Sequence, residues 1–555
     1  MNLNFVRYMI AAAVAIFMVV FVILPVYVVI ASGLDWSLFA EAFRNPVYRE
    51  GVFNSALIAV ITTLMVFVIA LPLALLYDRF DFPLKKYCAF MMMIPMILPP
   101  FVGALGFQQI FGYYGVLNSI LAKFNLPPVD FLGGEFGLFA VCLIEALHLY
   151  PILYLNLIAV LGNVDPVLDE AAQNLGAGRW KRFCRVTFPL MRPGILAGGS
   201  IVMIWSFTEL GTPLMFSFNR VTPVQVFNGI TELESNPLPF ALVLIMLGIS
   251  VLLYVGSRFF LRSRGAVLAR GSVGAHCRNL EGWKKILPSL GFLTVMFLSI
   301  MPHAALLLTA FSSHWYGTIL PHKFTMLHFE NALSNPIVLP SVVNSLKYST
   351  LAVIFAVLVG CLVAFAVERW KLRGAALLDM GAMLPLAIPG IVMALGYLGL
   401  SSRYDWAREI FNPVTNPLYI LSAAYAVRRL PYVVRSVTAA LEQTPVELED
   451  AAANLGASAF RRLRSILLPL IAGNMIVGGL FAFSFSMLEV SDSLILAQKE
   501  QFYPITKAIY ELSQVLGSGP YIACAFGIWA MIFLGVTIWG ASYIIGNKIS
   551  SMFRF

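Results

Sequence analysis

The sequence predicts an all-α polytopic membrane protein, with about 12 transmembrane helices arranged as two parallel repeats of six helices. Three observations predict this fold: the composition, the length of the apolar runs and an internal repeat. Of the 555 residues, 60% are apolar and only 12% are charged, whereas about a quarter of a soluble domain is charged. The composition therefore excludes a water-soluble enzyme, a disordered scaffold and a coiled coil.

Apolar runs long enough to cross the hydrocarbon core, about 20 helical residues each, follow one another along the chain. Backbone groups in lipid must be satisfied internally, so each run is predicted to be a helix, bent where it contains proline. The first run is too long for the apolar part of a signal peptide, and we expect it to remain as a span. The runs lie near 10–31, 53–77, 88–112, 136–161, 194–218, 239–261, 287–311, 342–367, 377–400, 417–441, 471–496 and 522–546.

Most of the 37 Lys and Arg residues fall in loops on one side of the membrane if the N-terminus is cytoplasmic. Because cytoplasmic loops are enriched in Lys and Arg, both termini are predicted to be cytoplasmic. The basic segment 262–286 is predicted to be a cytoplasmic linker in contact with anionic lipid. Topology and lipid thus account for the net charge of +9, and we expect no nucleic-acid partner.

No metal site and no disulfide framework are predicted. The six cysteines are far apart and form no CxxC pair, and the spacing of His314, His322 and His328 fits no compact metal motif. The run Met91-Met92-Met93 is interpreted as packing and not as a site for a soft metal. Its thioethers would select a metal such as Cu(I) and not a hard ion. No cluster of a nucleophile with a base is found, so we expect a protein that is not an enzyme.

An internal repeat divides the chain into two halves, 1–261 and 287–555, each with six spans. Similar segments recur at one constant offset before the loop that follows the third span, and at a slightly smaller constant offset after it. Because six is an even number of spans, equivalent loops lie on the same side, and the seam between two such halves is the natural place for a pathway. The pairs are Asn54-Ser55 with Asn344-Ser345, Asp78-Arg79-Phe80 with Glu368-Arg369-Trp370, Pro95 with Pro385, Pro99 with Pro389, Ala104-Leu105-Gly106 with Ala394-Leu395-Gly396, Pro151 with Pro431, Asn174 to Ala177 with Asn454 to Ala457, Pro189-Leu190 with Pro469-Leu470, and Glu209 with Glu489.

The loops after the fourth and tenth spans, 165–193 and 444–473, carry one motif twice. In the first loop the motif residues are Glu170, Ala171, Ala172, Gly176 and Pro189, and in the second they are Asp450, Ala451, Ala452, Gly456 and Pro469. This pattern resembles the EAA loop of ABC importer permeases, which reads EAA, three residues, Gly, nine residues and I-x-L-P. The first copy has Val and Phe where the pattern has Ile and Leu, and the second has Asp where the pattern has Glu.

The resemblance implies a fused permease with the type I ABC importer fold in a bacterial inner membrane. Each EAA loop is expected to bind one copy of a cytoplasmic ATPase, and a periplasmic binding protein is expected to deliver the cargo. The chain has no GxxxxGK[ST] motif, so ATP and Mg are expected to bind the partner ATPase, and this chain needs no cofactor of its own. One fused chain is expected per complex, in place of the usual permease dimer.

Local sequence signals predict the structure of the two EAA loops. Asp165-Pro166 and Thr444-Pro445 are typical helix starts, with a capping residue followed by proline at the first helical position. Gly176 and Gly456 are expected to end each short helix in a left-handed turn. A second, basic helix parallel to the membrane is expected before the proline that begins the next span.

Charged residues inside spans are candidates for the pathway, because burying charge in a membrane is costly. Glu209 and Glu489 are expected well inside the fifth and eleventh spans, where they either line the seam or bind neighbouring helices. Carboxylate oxygens would suit a hard cation. Arg428 and Arg429, in the tenth span, would meet an anion, a carboxylate such as Glu489, or lipid headgroups.

Fused permeases with two EAA loops are most similar to ferric iron permeases, and thiamine and 2-aminoethylphosphonate permeases are close relatives. The segments that carry this resemblance are Val102 to Gly106 and Val427 to Ser436. Ferric iron is therefore the expected cargo, with 2-aminoethylphosphonate, thiamine or another small solute as alternatives. A secondary transporter or channel without an ATPase is the alternative from a different class, and it would not need paired docking loops.

Overall fold

The computed structural model describes residues 3–97, 100–134, 136–162, 164–230, 236–262 and 278–545. Nearly all of the secondary structure in these ranges is helical, and the two strands, Phe80–Asp81 and Arg278–Asn279, are two residues long and pair in parallel. Most of the predicted linker 262–286, and Pro99, lie outside the described residues. The observed architecture is the predicted all-α one.

The helices of the first half follow the predicted runs, except that span 5 ends at Phe207, well before the end of its run. Span 1 combines Leu3–Met18, a π-helical turn Val19–Ile23 and Leu24–Gly33; span 2 is Pro46–Arg79; span 3 combines Lys85–Met91, Ile94–Ile97 and Pro100–Phe111; span 4 is Gly137–Leu161; span 5 is Phe188–Phe207; and span 6 is Leu238–Arg262. Shorter helices between them are Trp36–Arg44, Val116–Lys123, Pro166–Asn174, Arg179–Arg182, the π-helical turn Phe183–Thr187, Gly211–Met215 and Thr222–Gly229.

The second half repeats this order. Span 7 is Ile286–Phe311; span 8 is Val338–Glu368; span 9 combines Ala375–Met383, Leu384–Leu386 and Gly390–Arg403; span 10 is Leu418–Gln443; span 11 is Leu468–Met487; and span 12 is Gly519–Ile545. Shorter helices are Gly282–Lys285, Leu327–Ser334, Asp405–Ile410, Glu447–Asn454, Ala459–Arg462, the π-helical turn Leu463–Leu467, Ser491–Leu496, Glu500–Phe502 and Ile505–Gln514.

Within the described ranges, nine helices are long and apolar enough to cross a membrane, and span 9 makes ten if its two parts count as one span. Those two parts are bent by 105° at the break that contains Pro389, as proline in the run predicts. Span 10 has 26 residues, or about 39 Å of helix, but its arginines make it less apolar. Span 3 is divided into short helices around its own prolines.

The two halves exchange their first spans. A Cβ added to Gly396, in span 9, would lie 2.5 Å from the carbonyl oxygen of Pro25 in span 1, and the Tyr397 hydroxyl donates to Phe21 O at 2.6 Å. In the same way, a Cβ on Gly106 of span 3 would overlap the carbonyl oxygen of Pro302 in span 7. Each repeated glycine thus allows a close crossing with the first span of the other half.

Both EAA loops lie on one face of the helix bundle. The paired strands place the chain after span 2 beside the chain before span 7. Span 7 then leads to the opposite face and span 8 leads back, so the ends of spans 2 and 8 share a face. The first EAA loop contacts Arg79 at the end of span 2, and the second contacts Arg369 at the end of span 8. We call this face the coupling face.

Candidate functional site

The first EAA loop begins with the predicted capped helix. Asp165 Oδ1 accepts a hydrogen bond from the Val167 amide at 2.9 Å, and the helix runs over Pro166–Asn174. Gly176 has a φ of +75°, and the Ala177 amide donates to Ala172 O at 3.0 Å. This left-handed ending satisfies carbonyls that the helix leaves free.

The second EAA loop ends in the same way but begins differently. Gly456 has a φ of +82°, and the Ala457 amide donates to Ala452 O at 2.9 Å. Thr444, however, does not cap the short helix, and that part of the prediction is wrong. Its hydroxyl donates to Ala440 O at 2.8 Å and ends span 10, so the short helix starts later, over Glu447–Asn454.

The basic segment after each glycine is not a separate helix, contrary to the prediction. In the first loop Arg179–Arg182 continues through the π-helical turn Phe183–Thr187 into span 5, and Pro189 lies in the first turn of that span. The second loop repeats this arrangement, with Pro469 in the first turn of span 11. Because the basic segment and the span form one continuous helix, each proline lacks an amide that would otherwise bond within that helix. Any force on the loop therefore acts directly on the span.

Large apolar side chains are exposed at three equivalent positions of the two EAA loops. Leu175 is 88% exposed and its counterpart Leu455 is 89% exposed. The other two pairs, at equivalent positions of the repeat, are Leu168 with Leu448 and Trp180 with Phe460. Of the motif residues, Glu170, Ala171, Gly176, Asp450, Ala451, Gly456 and Pro469 are exposed, and Ala172, Pro189 and Ala452 are half-buried. Two matched apolar surfaces on one face are typical of docking sites.

Ion pairs that the sequence analysis did not identify hold the two loops in place. In the first loop, Arg182 lies 3.4 Å from Asp169 and donates to Gln173. In the second, the equivalent carboxylate, Glu449, lies 2.8 Å from Arg369 Nε. The repeated Arg79 and Arg369 were visible in the sequence, but nothing in their spacing indicated that they bind the loops.

Glu489 lies at the centre of a buried charge cluster. Its carboxylate accepts a hydrogen bond from Arg428 Nη1 at 2.6 Å and another from Arg429 Nη2, as one of the predicted pairings requires. Arg428 also lies 3.7 Å from Asp492, whose side chain is fully buried. Asp492 was missed because the first half has Thr212 at the equivalent position, so the repeat gave no signal.

Glu209 and Glu489 were predicted to lie well inside spans 5 and 11, and this prediction is wrong. They lie in the breaks that follow these two spans. Glu209 Oε1 accepts hydrogen bonds from the amides of Gly211 and Thr212 at 3.1 and 3.3 Å, and it caps the short helix Gly211–Met215. A Cβ on Gly211 would lie 3.2 Å from Val490 of the other half. Both carboxylates therefore lie at the seam between the halves.

The first half has a second carboxylate near the seam, and this one is buried. Glu145, in span 4, is only 3% exposed and accepts hydrogen bonds from Ser206 and, at 3.5 Å, from Thr62. Its other oxygen, Oε1, accepts no hydrogen bond from the described residues. Within the same ranges, no group of three or more His, Cys, Asp or Glu residues could hold a metal ion.

Two fused helical repeats, with matched exposed loops on one face and buried charge at the seam, define the class of polytopic membrane permeases. A family model described as the binding-protein-dependent transport system inner membrane component matches residues 70–264 and again residues 356–541. The chain belongs to this family and carries its domain twice, which confirms the predicted repeat. Members are transport subunits, not enzymes, and they work with a separate binding protein and ATPase.

Curated relatives cover most of the chain. A ferric transport system permease protein of Actinobacillus pleuropneumoniae is 24% identical over 92% of this chain and 72% of its own length. An Fe(3+)-transport system permease protein of Haemophilus influenzae is 23% identical over 85% of this chain and 86% of its own. A molybdenum transport system permease protein of Escherichia coli, 35% identical, matches 36% of this chain and 91% of its own length.

Proposed function

We propose that this chain is the transmembrane subunit of an ATP-driven importer that moves ferric iron into the cytoplasm. It works as one fused chain in the bacterial inner membrane, with both termini and the coupling face on the cytoplasmic side. A periplasmic binding protein delivers the cargo to the opposite face. Two copies of an ATPase, which bind ATP and Mg, dock on the EAA loops, one on each loop.

The pair of matched EAA loops is the observation that carries the ATP-driven mechanism. Each presents a short helix with exposed apolar side chains, and each continues through a π-helical turn into a span. Closure of an ATPase dimer would displace both loops together, and the attached spans would follow. The two halves would then alternate between states open to either side, with ATP binding shifting the population.

The charges at the seam support a cationic cargo. Glu489 and Asp492 surround Arg428, so that guanidinium is already neutralised by this chain. Glu209 and Glu145 lie near the seam without an ion pair to a described residue. Carboxylate oxygens bind hard cations, which favours ferric iron over oxyanions such as molybdate. The ferric transport relatives point to the same cargo, whereas the molybdenum relative does not.

Transport by the purified complex tests the proposal. The chain, its partner ATPase and the binding protein are reconstituted in liposomes, and uptake of ferric iron is compared with uptake of molybdate, sulfate, thiamine and 2-aminoethylphosphonate. We expect ATP-dependent uptake of iron alone. ATP-dependent uptake of another solute would replace the cargo and keep the class of transporter. Uptake by the chain without any ATPase would favour a secondary transporter or channel.

A further inference from the structure

Spans 2 and 8 carry two repeated polar motifs that docking of an ATPase does not explain. Asn54-Ser55 and Asn344-Ser345 lie toward one end of these helices, and Arg79 and Arg369 lie at the other end. The Asn and the Arg are equally far apart along the chain in each half. The helix between them is about 37 Å long, at a rise of about 1.5 Å per residue. This length is enough to connect the two faces of a membrane.

In the first half, the Asn-Ser pair binds the loop and helix that follow span 5. Asn54 Nδ2 donates a hydrogen bond to Arg220 O at 2.9 Å. The buried Ser55 Oγ accepts one from the Thr222 amide at 3.0 Å, and Thr222 is the first residue of the helix Thr222–Gly229. Span 2 thus fixes the start of this short helix.

The second half repeats the arrangement. Asn344 Nδ2 donates to Gln501 O at 2.9 Å and to Tyr503 O at 3.2 Å. Ser345 Oγ accepts a hydrogen bond from the amide of Ile505 at 2.8 Å, which begins the helix Ile505–Gln514. Because the same hydrogen bonds occur in both halves, these contacts are a feature of the repeat and not an accident of one loop.

The two short helices fixed in this way meet across the seam, on the face opposite the EAA loops. We call Thr222–Gly229 and Ile505–Gln514 the closing helices. The rings of Phe227 and Tyr510 pack edge to face with centroids 6.1 Å apart. Lys507 Nζ lies 5.5 Å from the Phe227 ring centroid. The closing helices therefore touch each other across the seam on this face, and their separation would open the seam there.

At the coupling face, the same two spans bind the EAA loops. Arg79 Nη2 donates to Thr187 Oγ1 at 2.8 Å, in the π-helical turn of the first loop. Arg369 Nη2 donates to the carbonyl oxygens of Leu441 and Thr444 at 2.9 and 2.7 Å, and its Nε pairs with Glu449. Each span is thus hydrogen-bonded to an EAA loop at one end and to a closing helix at the other.

We propose that spans 2 and 8 transmit the displacement of the EAA loops to the closing helices, which opens the seam. The Asn-Ser pairs, Arg79 and Arg369 are positioning residues for this step. The inference rests on the proposed ATP-driven function and adds a physical route between the ATPase and the opposite face. That route consists of hydrogen bonds and two continuous helices, and both sites bias the same element.

Spin labels on the closing helices measure the opening directly, without knowledge of the cargo. The exposed residues Asn228 and Gln514 are changed to cysteine in a chain freed of its six native cysteines. The label-to-label distance is recorded in the complex with the ATPase, with and without ATP. In the parent complex we expect ATP to lengthen this distance.

Variants at both ends of the helices then test the route. Asn54→Ala with Asn344→Ala, and separately Arg79→Gln with Arg369→Gln, are expected to abolish the ATP-dependent change while hydrolysis continues. Cargo moved per ATP should fall about tenfold, within the usual range of coupling free energies. Thr63→Ala with Ser341→Ala is the matched control, because these hydroxyls bond only to carbonyls of their own helix, and it should behave as the parent.

A combination of both variant sets separates transmission from simple loss of stability. If each end belongs to one route, the combined variant should lose no more coupling than either set alone, whereas independent stability losses add. Asn-variants that open like the parent would overturn the inference and leave the importer mechanism intact. If ATP does not change the distance in the parent complex, both this inference and the ATP-driven mechanism are overturned. The parent complex therefore distinguishes this failure from a failure of the inference alone.

Discussion

At the scale of single residues, the two repeated glutamates have unequal roles. Glu489 pairs with both Arg428 and Arg429 in a buried cluster that also contains Asp492, whereas Glu209 accepts hydrogen bonds from two backbone amides. Removing one partner of a buried ion pair leaves uncompensated charge and costs about 3–5 kcal/mol. Losing a hydrogen bond to a charged acceptor costs about 1.5–3 kcal/mol. The same substitution should therefore give different results at the two positions.

Glu489→Gln is expected to destabilise the chain more than Glu209→Gln does. After Glu209→Gln the side chain keeps an oxygen that can accept from the Gly211 amide, whereas Glu489→Gln leaves Arg429 without a carboxylate and Arg428 with only the more distant Asp492. Thermal unfolding of the purified chain in detergent measures the difference. Equal shifts in unfolding temperature would show that the charge cluster contributes no more than an ordinary helix cap.

The repeated glycines of the EAA loops make a second prediction at this scale. A Cβ at Gly176 would meet nothing within 4 Å, but its φ is +75°, which costs an L-residue roughly 1–2 kcal/mol. Gly176→Ala is therefore expected to weaken ATPase binding about tenfold by straightening the loop. Gly178, at φ −64° and also in open space, is the control, and Gly178→Ala should bind as the parent does. Affinity is measured by titration of the ATPase.

At the scale of elements, the EAA loops should bind the ATPase through their exposed leucines. An aspartate at either position would place an unpaired charge in the apolar contact, which is costly, so Leu175→Asp with Leu455→Asp is expected to abolish co-purification of the ATPase. A change in one loop alone should leave partial binding through the other. Leu516→Asp is the control, because Leu516 is 96% exposed but lies in the loop before span 12, away from the coupling face. Co-purification that survives the double change would exclude these docking surfaces.

Most of the helices and turns were predictable from the sequence, because apolar runs and glycine turns are local signals. Two features were not predictable: where the second EAA helix begins, and that each basic segment continues into the following span. Both depend on competition between neighbouring helices. Thr444 precedes a proline as a capping residue should, yet its hydroxyl bonds to the span before it. The contacts of Arg79 and Arg369 were hidden for a similar reason: hydrogen bonds between distant loops leave no periodicity in the sequence.

At the scale of the whole molecule, the exchange of first spans explains why the halves work as one unit. The sequence predicted two repeats side by side, and the repeated Gly106 and Gly396 were seen as marks of duplication. In the structure these glycines admit the backbones of Pro302 and Pro25 from the opposite half. Contacts between sequence repeats carry no signal in a single sequence, since a swapped and an unswapped arrangement would have the same helices.

The exchange predicts that the halves stay together when the chain is cut. Residues 1–270 and 271–555, expressed as separate tagged chains, are expected to co-purify, because each buries its first span against the other. Gly106→Leu in the first chain should prevent this, since even a Cβ at this position would overlap Pro302 O. Gly248→Leu is the matched control, because a Cβ at Gly248 in span 6 meets nothing within 4 Å. Halves that separate without any substitution would show that the linker, not the exchanged spans, holds the two repeats together.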